Sequence, residues 1–226
     1  VPLAFFLSII IAMVLGALIQ QVLIRPMKNT SVGALIVMTI AISLALRGLA
    51  LLIWGRESHV LPPFSRGEPI QVLGAALQLQ ILWIVGITAV VLLLIWFFFE
   101  KTPAGIAMRA CAENPYGASL MGINTQRTTL FAWAWGSGIG ALAGMAVAPM
   151  LFTQYTSGIM PMVKGFIAMS IGGLGSIVGS VIAGLLLGLV ESYTIGLISS
   201  KFSDTIVFAL LMAVLVFRPN GLFSRS

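Results

Sequence analysis

"IGGLGSIVGSVIAGLLLGLVES", Ile171 to Ser192, is the stretch on which the fold turns. It is rich in glycine, ends at Glu191-Ser192, and holds neither lysine nor proline. A phosphate-binding loop closes its glycine run with Gly-Lys-Ser/Thr, and "GGLGSIVGS" (172–180) has no lysine, so nucleotide binding by that route is excluded. The remaining reading is a hydrophobic helix built for close approach. Ser176, Ser180, Gly184 and Gly188 recur every four residues, with Gly175, Gly179 and Ala183 beside them. Small residues at this spacing let helix backbones press together inside a membrane.

The apolar run that contains this stretch extends over 162–198, 37 residues in all. A single helix of that length would reach about 55 Å at 1.5 Å per residue, against a hydrocarbon core of about 30 Å. The run must break, and Gly172, Gly173 and Gly175 are where the backbone turns most cheaply. The expectation is a short helix from about Pro161 to Ile171, a glycine turn, and a full helix from about Ser176 to Ile198. Broken helices persist at membrane depth only where protein or a water-filled cavity meets the freed backbone groups. Gly172, Gly173, Gly175, Ser176, Ser180 and Glu191 are therefore the candidates for a translocation path or gate, with plain interior packing as the alternative. An ionisable residue within a span is a functional hypothesis by default. For Glu191 the competing account is an interfacial carboxylate that reaches water or pairs with Lys201 or Lys164.

Composition agrees with a membrane solvent. Hydrophobic residues make up 59% of the 226, charged residues only 8%, and mean hydropathy is +1.10, whereas soluble domains carry about 25% charged residues. Further apolar runs lie at about 3–22, 33–54, 79–99, 128–150 and 203–217. The expected fold is an all-α, polytopic transmembrane helical bundle of about six spanning helices plus a re-entrant half-helix, forming one domain over 1–226. The net charge of +6 comes from single basic residues between spans and not from a basic run, which points to membrane orientation and no nucleic acid partner. "RPMKN" (25–29) and the loop 100–127 carry the basic excess and are assigned to the cytoplasm. The balanced segment "GRESHVLPPFSRGEPIQ" (55–71) and the uncharged "TQYTSGIMP" (153–161) are assigned outside. Arg218 and Arg225 place the tail inside. Arg47, within its helix, is expected to snorkel to the outer interface. "GSGIGALAG" (136–144) offers a second small-residue face through Gly136, Gly140 and Gly144.

The 28-residue loop "EKTPAGIAMRACAENPYGASLMGINTQR" (100–127) is too apolar for a disordered linker. "GIAMRACAEN" and "YGASLMGI" each fit a short amphipathic helix, with Asn114-Pro115 starting the second. A helix pair under the membrane is what a cytoplasmic partner would grip; a membrane-surface helix without a partner is the alternative. Cys111 is the single cysteine, so neither an intrachain disulfide nor a cysteine-based metal cluster forms. His59 stands alone in an outer loop, and no Ser-His-Asp set or His-Glu-x-x-His helix is present. The reading is a chain that is not an enzyme and carries no metal or cofactor.

The segments "MRACAENPYGASLMGINTQR" (108–127), "KGFIAMSIGGLGSIVGSVIAGLLLGLVES" (164–192), "IRPMKN" (24–29) and "RPNGLF" (218–223) together resemble the LivH-type permeases of branched-chain amino acid ABC importers, along essentially the whole chain. The resemblance implies an ABC importer permease fold in a bacterial plasma (inner) membrane, surrounded by membrane lipid. It implies a second permease subunit, two cytoplasmic ATP-binding subunits that hydrolyse ATP, and a periplasmic or extracellular amino-acid-binding protein. It makes 100–127 the coupling loop, with Ala110, Ala112, Glu113, Ala118, Gly122 and Ile123 as ATPase-docking candidates. It also implies that N-terminal helices usual in the family are missing before Val1. A urea or short-amide ABC importer is the alternative within the family. Outside it, a proton-coupled secondary transporter using Glu191 as relay is the further one.

Overall fold

A computed structural model describes residues 2–27, 31–65, 70–72, 75–173, 175–218 and 221–222. The chain divides into two compact units, Val1–Tyr155 and Thr156–Ser226. Among the described residues six helices are long and apolar enough to cross a membrane, and the glycine-rich run is split as its length demanded. The "RPMKN" and "RPNGLF" segments each fall partly outside the described residues, as do Arg66, Glu68 and Arg225.

In the first unit, α1 (Pro2–Ile19) continues through a π turn (Gln20–Ile24) and a 3-10 turn (Arg25–Met27). Pro26 has no N–H to donate and its ring crowds the preceding turn, which accounts for regular α geometry ending there. Helix α2 (Val32–Trp54) is capped by the Ser31 hydroxyl, which accepts from Ala34 N at 3.4 Å, and is ended by Gly55 at φ 77°. No described side chain of α2 is buried. The Arg47 guanidinium folds back onto Ser43, donating to the carbonyl and to Oγ, both at 3.2 Å.

The segment that charge balance assigns outside contains regular structure. Strands β1 (Ile70–Val72) and β2 (Ala75–Leu77) pair antiparallel with Gln71 opposite Ala76, the one sheet among the described residues. His59 exchanges backbone hydrogen bonds with Thr153, both at 2.9 Å. Buried Gln80, at the start of α3 (Leu79–Lys101), accepts from Phe64 N at 3.1 Å and donates to Ala146 O at 3.0 Å. It thereby ties this outer segment to the end of α6 (Thr125–Val147).

Helices α1 and α6 pack closely at Gly16 and Gly138. A Cβ on Gly16 would collide with Ser137 and the Trp133 carbonyl, and one on Gly138 would lie 2.7 Å from Met13 Cγ. The expected packing face of α6 is a different one: around Gly136, Gly140 and Gly144 an added Cβ would meet nothing within 4 Å. Within this chain the Gly136, Gly140 and Gly144 face is open, and α1 packs on the neighbouring face that carries Gly138.

In the second unit, α7 (Ile159–Gly172), α8 (Ile177–Leu197), a 3-10 turn (Ser200–Phe202) and α9 (Ser203–Phe217) surround one core. Its centre is Ile167, Ile171, Ala183, Leu187 and Val207, all buried. The 14 residues of α7 reach about 21 Å, too short to cross alone. The buried stripe of α8 is Gly179, Ala183 and Leu187, one position along from the Ser176-Ser180-Gly184-Gly188 row. Gly188 faces open space, and Gly184 has only Ala168 Cβ near it, at 3.8 Å.

Candidate functional site

The glycine turn is built from backbone demands. Gly173 at φ 99° and Gly175 at φ 93° lie where side chains other than glycine are strained. Ser176 then starts α8, its hydroxyl accepting from Gly179 N at 3.1 Å, while Ser180 Oγ donates to Ser176 O at 2.9 Å. Both hydroxyls are thus engaged locally. Gly172 is the contact point between the two arms, since a Cβ there would overlap the backbone of Gly179 and Ser180. The end of α7 would leave carbonyls unpaired, and Leu222 N donates to Ile171 O at 2.8 Å. Gly221, at φ 83°, sits against Gly173, where a Cβ would approach Gly173 Cα at 2.5 Å. The closing motif therefore serves as a backbone latch over the turn, a role that sequence reading did not assign to it.

At the other end of the α7–α8 hairpin, Lys164 Nζ donates to Glu191 Oε1 at 2.6 Å and to Asp204 Oδ1 at 3.1 Å. Of the two cations named as partners for Glu191, Lys164 is the one that meets it. Asp204 was not foreseen, although its place in the first turn of α9 suits a carboxylate. The three side chains are 32%, 27% and 47% exposed, so the cluster is half-solvated and its worth is nearer that of a surface pair than of a buried one. Lys164→Met is expected to lower the thermal midpoint of the solubilised chain by a few degrees, consistent with about 1 kcal/mol for such a network. Lys201→Met is expected to leave it unchanged. A wild-type midpoint insensitive to salt, together with an unshifted Lys164→Met, would show that the clasp contributes nothing.

The loop between α3 and α6 folds as two capped helices, α4 (Pro103–Glu113) and α5 (Pro115–Leu120). Each starts with an N-cap followed by proline, the order helix starts favour. Thr102 Oγ1 accepts from Gly105 N at 3.1 Å, and Asn114 Oδ1 accepts from Gly117 N at 2.8 Å. Asn124 Oδ1 starts α6 the same way, accepting from Arg127 N at 3.1 Å. Gly105 brings α4 against α3, since a Cβ would collide with the Phe98 carbonyl, and Arg109 Nη1 pairs with Glu100 Oε1 at 3.1 Å. The loop packs against both α3 and α6.

The six docking candidates do not share one surface. Ala118 is buried, Ala110 and Ile123 are half-buried, and Ala112, Glu113 and Gly122 are exposed. Ala118, Gly122 and Ile123 close α5: Gly122 sits at φ 81°, its N–H donates to Ser119 O, and Ile123 N donates to Ala118 O, both at 3.1 Å. This is the glycine-terminated helix ending known as a Schellman motif. The large apolar groups that face outward are Tyr116, Leu120 and Met121, 73%, 70% and 83% exposed, and sequence reading passed over them. Their i, i+4 spacing from Tyr116 to Leu120 was the available signal. Among the described residues no group of His, Cys, Asp and Glu is arranged to hold a metal ion.

Residues 1–215 match the family described as branched-chain amino acid transport system / permease component. The chain is similar to the high-affinity branched-chain amino acid transport system permease protein LivH of Salmonella typhimurium, 33% identical over 96% of this chain and 72% of that protein. It is similar to the Pseudomonas aeruginosa permease BraD, 29% identical over 98% of this chain and 74% of the relative. It also resembles the ribose import permease RbsC of Haemophilus influenzae, 25% identical over the whole chain and 72% of that protein. No solved structure matches it. With six membrane-length apolar helices and a match across nearly its full length, this multi-pass membrane chain belongs to the family of branched-chain amino acid transport permease components.

Proposed function

We propose that this chain is the membrane permease subunit of an ATP-driven importer that carries branched-chain amino acids across the plasma membrane. The observation that carries the reading is the likeness to branched-chain amino acid permeases over 96% of the chain. ATP is hydrolysed by two separate cytoplasmic subunits, a second permease completes the path, and an external binding protein delivers substrate. The α4–α5 pair is the coupling element. It is held to α3 by Gly105 and the Glu100–Arg109 pair and runs into α6 through the Asn124 cap, so a push on it moves both spans. The glycine turn and the Lys164–Glu191–Asp204 clasp are the gating candidates in the second unit, and substrate selection rests mainly with the binding protein.

Cells expressing the chain with its neighbouring transport genes should take up labelled leucine at least tenfold above background. Uptake should stop on ATP depletion and persist when the proton gradient is dissipated. Accumulation of urea or ribose in place of leucine would overturn the substrate class. Leucine uptake that survives ATP depletion and collapses with the proton gradient would overturn the energy source.

A further inference from the structure

A cleft of about 340 Å³ opens between the π turn that follows α1 and the N-terminal end of α6, lined by Gln20, Arg25, Asn124, Gln126 and Arg127 among others. Its lining is mainly polar and includes none of the six docking candidates and none of the glycine turn. Gln20 is only 4% exposed, yet its Oε1 has no hydrogen-bond partner. A buried acceptor without a donor has lost its hydration with nothing in return, so such groups are normally satisfied. The π turn places it there, and turns of this kind concentrate at functional sites. Among the described residues, no ion pair or side-chain hydrogen bond engages the Arg25 or Arg127 guanidinium.

We infer that this cleft binds a phosphate ester that also carries a hydroxyl. The two guanidinium groups present the planar forks that hold phosphate oxygens, and the hydroxyl donates to the orphaned Gln20 Oε1. Both arginines lie on the side that the basic loops assign to the cytoplasm, at the end of two membrane-length helices. Basic pockets between helix ends at that surface suit anionic lipid headgroups. A glycerol-bearing phospholipid headgroup and a soluble glycerol phosphate share the required chemistry.

The test compares thermal midpoints and native mass spectra of the full chain in detergent, titrated with dioctanoyl phosphatidylglycerol, dioctanoyl phosphatidylcholine or glycerol 3-phosphate. Phosphatidylglycerol is expected to raise the midpoint by several degrees and to remain bound as discrete adducts, with phosphatidylcholine giving at least fivefold weaker binding. The Arg25→Gln/Arg127→Gln double variant should lose this preference, and Gln20→Leu, which removes the acceptor, should weaken it severalfold. Should the double variant fail to fold by elution volume and helical circular dichroism, Arg127→Gln alone, at an exposed position, carries the comparison. Equal binding by glycerol 3-phosphate, lost in the same variants, assigns the site to a soluble ester and still supports it. Indifference to headgroup, or identical responses from wild type and the arginine variants, overturns it.

Discussion

Gly172→Ala is expected to lower the thermal midpoint of the solubilised chain by several degrees and to cut uptake at least tenfold, although it adds a single methyl group. The new Cβ would fall on the backbone of Gly179 and Ser180, and a backbone cannot rotate aside as a side chain can. Overpacking a tight contact by one methylene costs about 1–3 kcal/mol. Here relief requires the α7 and α8 arms to separate at the point where the chain reverses. Gly188→Ala, on α8 and in open space, is the control and should change the midpoint by no more than a degree or so. Gly221→Ala should follow Gly172→Ala, because its Cβ would press on Gly173 and strain a φ of 83°. Similar melting of all three variants and the wild type would mean that the turn is not held by backbone contact.

The contrast between these glycines shows what the sequence could and could not convey. The break near Gly172 was legible because it follows from quantities a linear sequence carries: a run too long for the bilayer, loop charges that fix sidedness, and glycines at one place. The start of α5 was legible for the same reason, since Asn114 and Pro115 act on their own neighbours. Partnership between distant segments was not legible. Small residues recur on more than one face of α6, and only the position of α1 decides that Gly138 is in contact while Gly140 is free. Lys164 could be named as a partner for Glu191 once a hairpin was expected, but Asp204 could not, because it depends on how α9 returns. Ala118, Gly122 and Ile123 were singled out through family resemblance as docking residues. Their backbone pattern gives them the task of ending a helix, a demand strong enough to account for glycine at 122 by itself.

That distinction sets the second large prediction. Tyr116→Glu combined with Leu120→Glu is expected to abolish stable association with the proposed ATPase subunits and to reduce uptake more than tenfold, while leaving the thermal midpoint of the isolated chain within about a degree of wild type. Both side chains are about 70% exposed, and substitutions at such positions usually change stability by no more than about 0.5 kcal/mol. An apolar anchor seated in a partner's pocket contributes about 2 kcal/mol or more, which is about 30-fold in affinity, and a buried unpaired carboxylate adds its own desolvation cost. Ala118→Leu tests the other half of the argument. Buried at 5% exposure, it should lower the midpoint first and impair docking only through misfolding of α5. If the double glutamate variant couples and transports normally, the outward face of α5 is not the docking surface. If Ala118→Leu disrupts docking with an unchanged midpoint, the contact runs through the opposite face, and α5 must rotate or unwind when the ATPase binds.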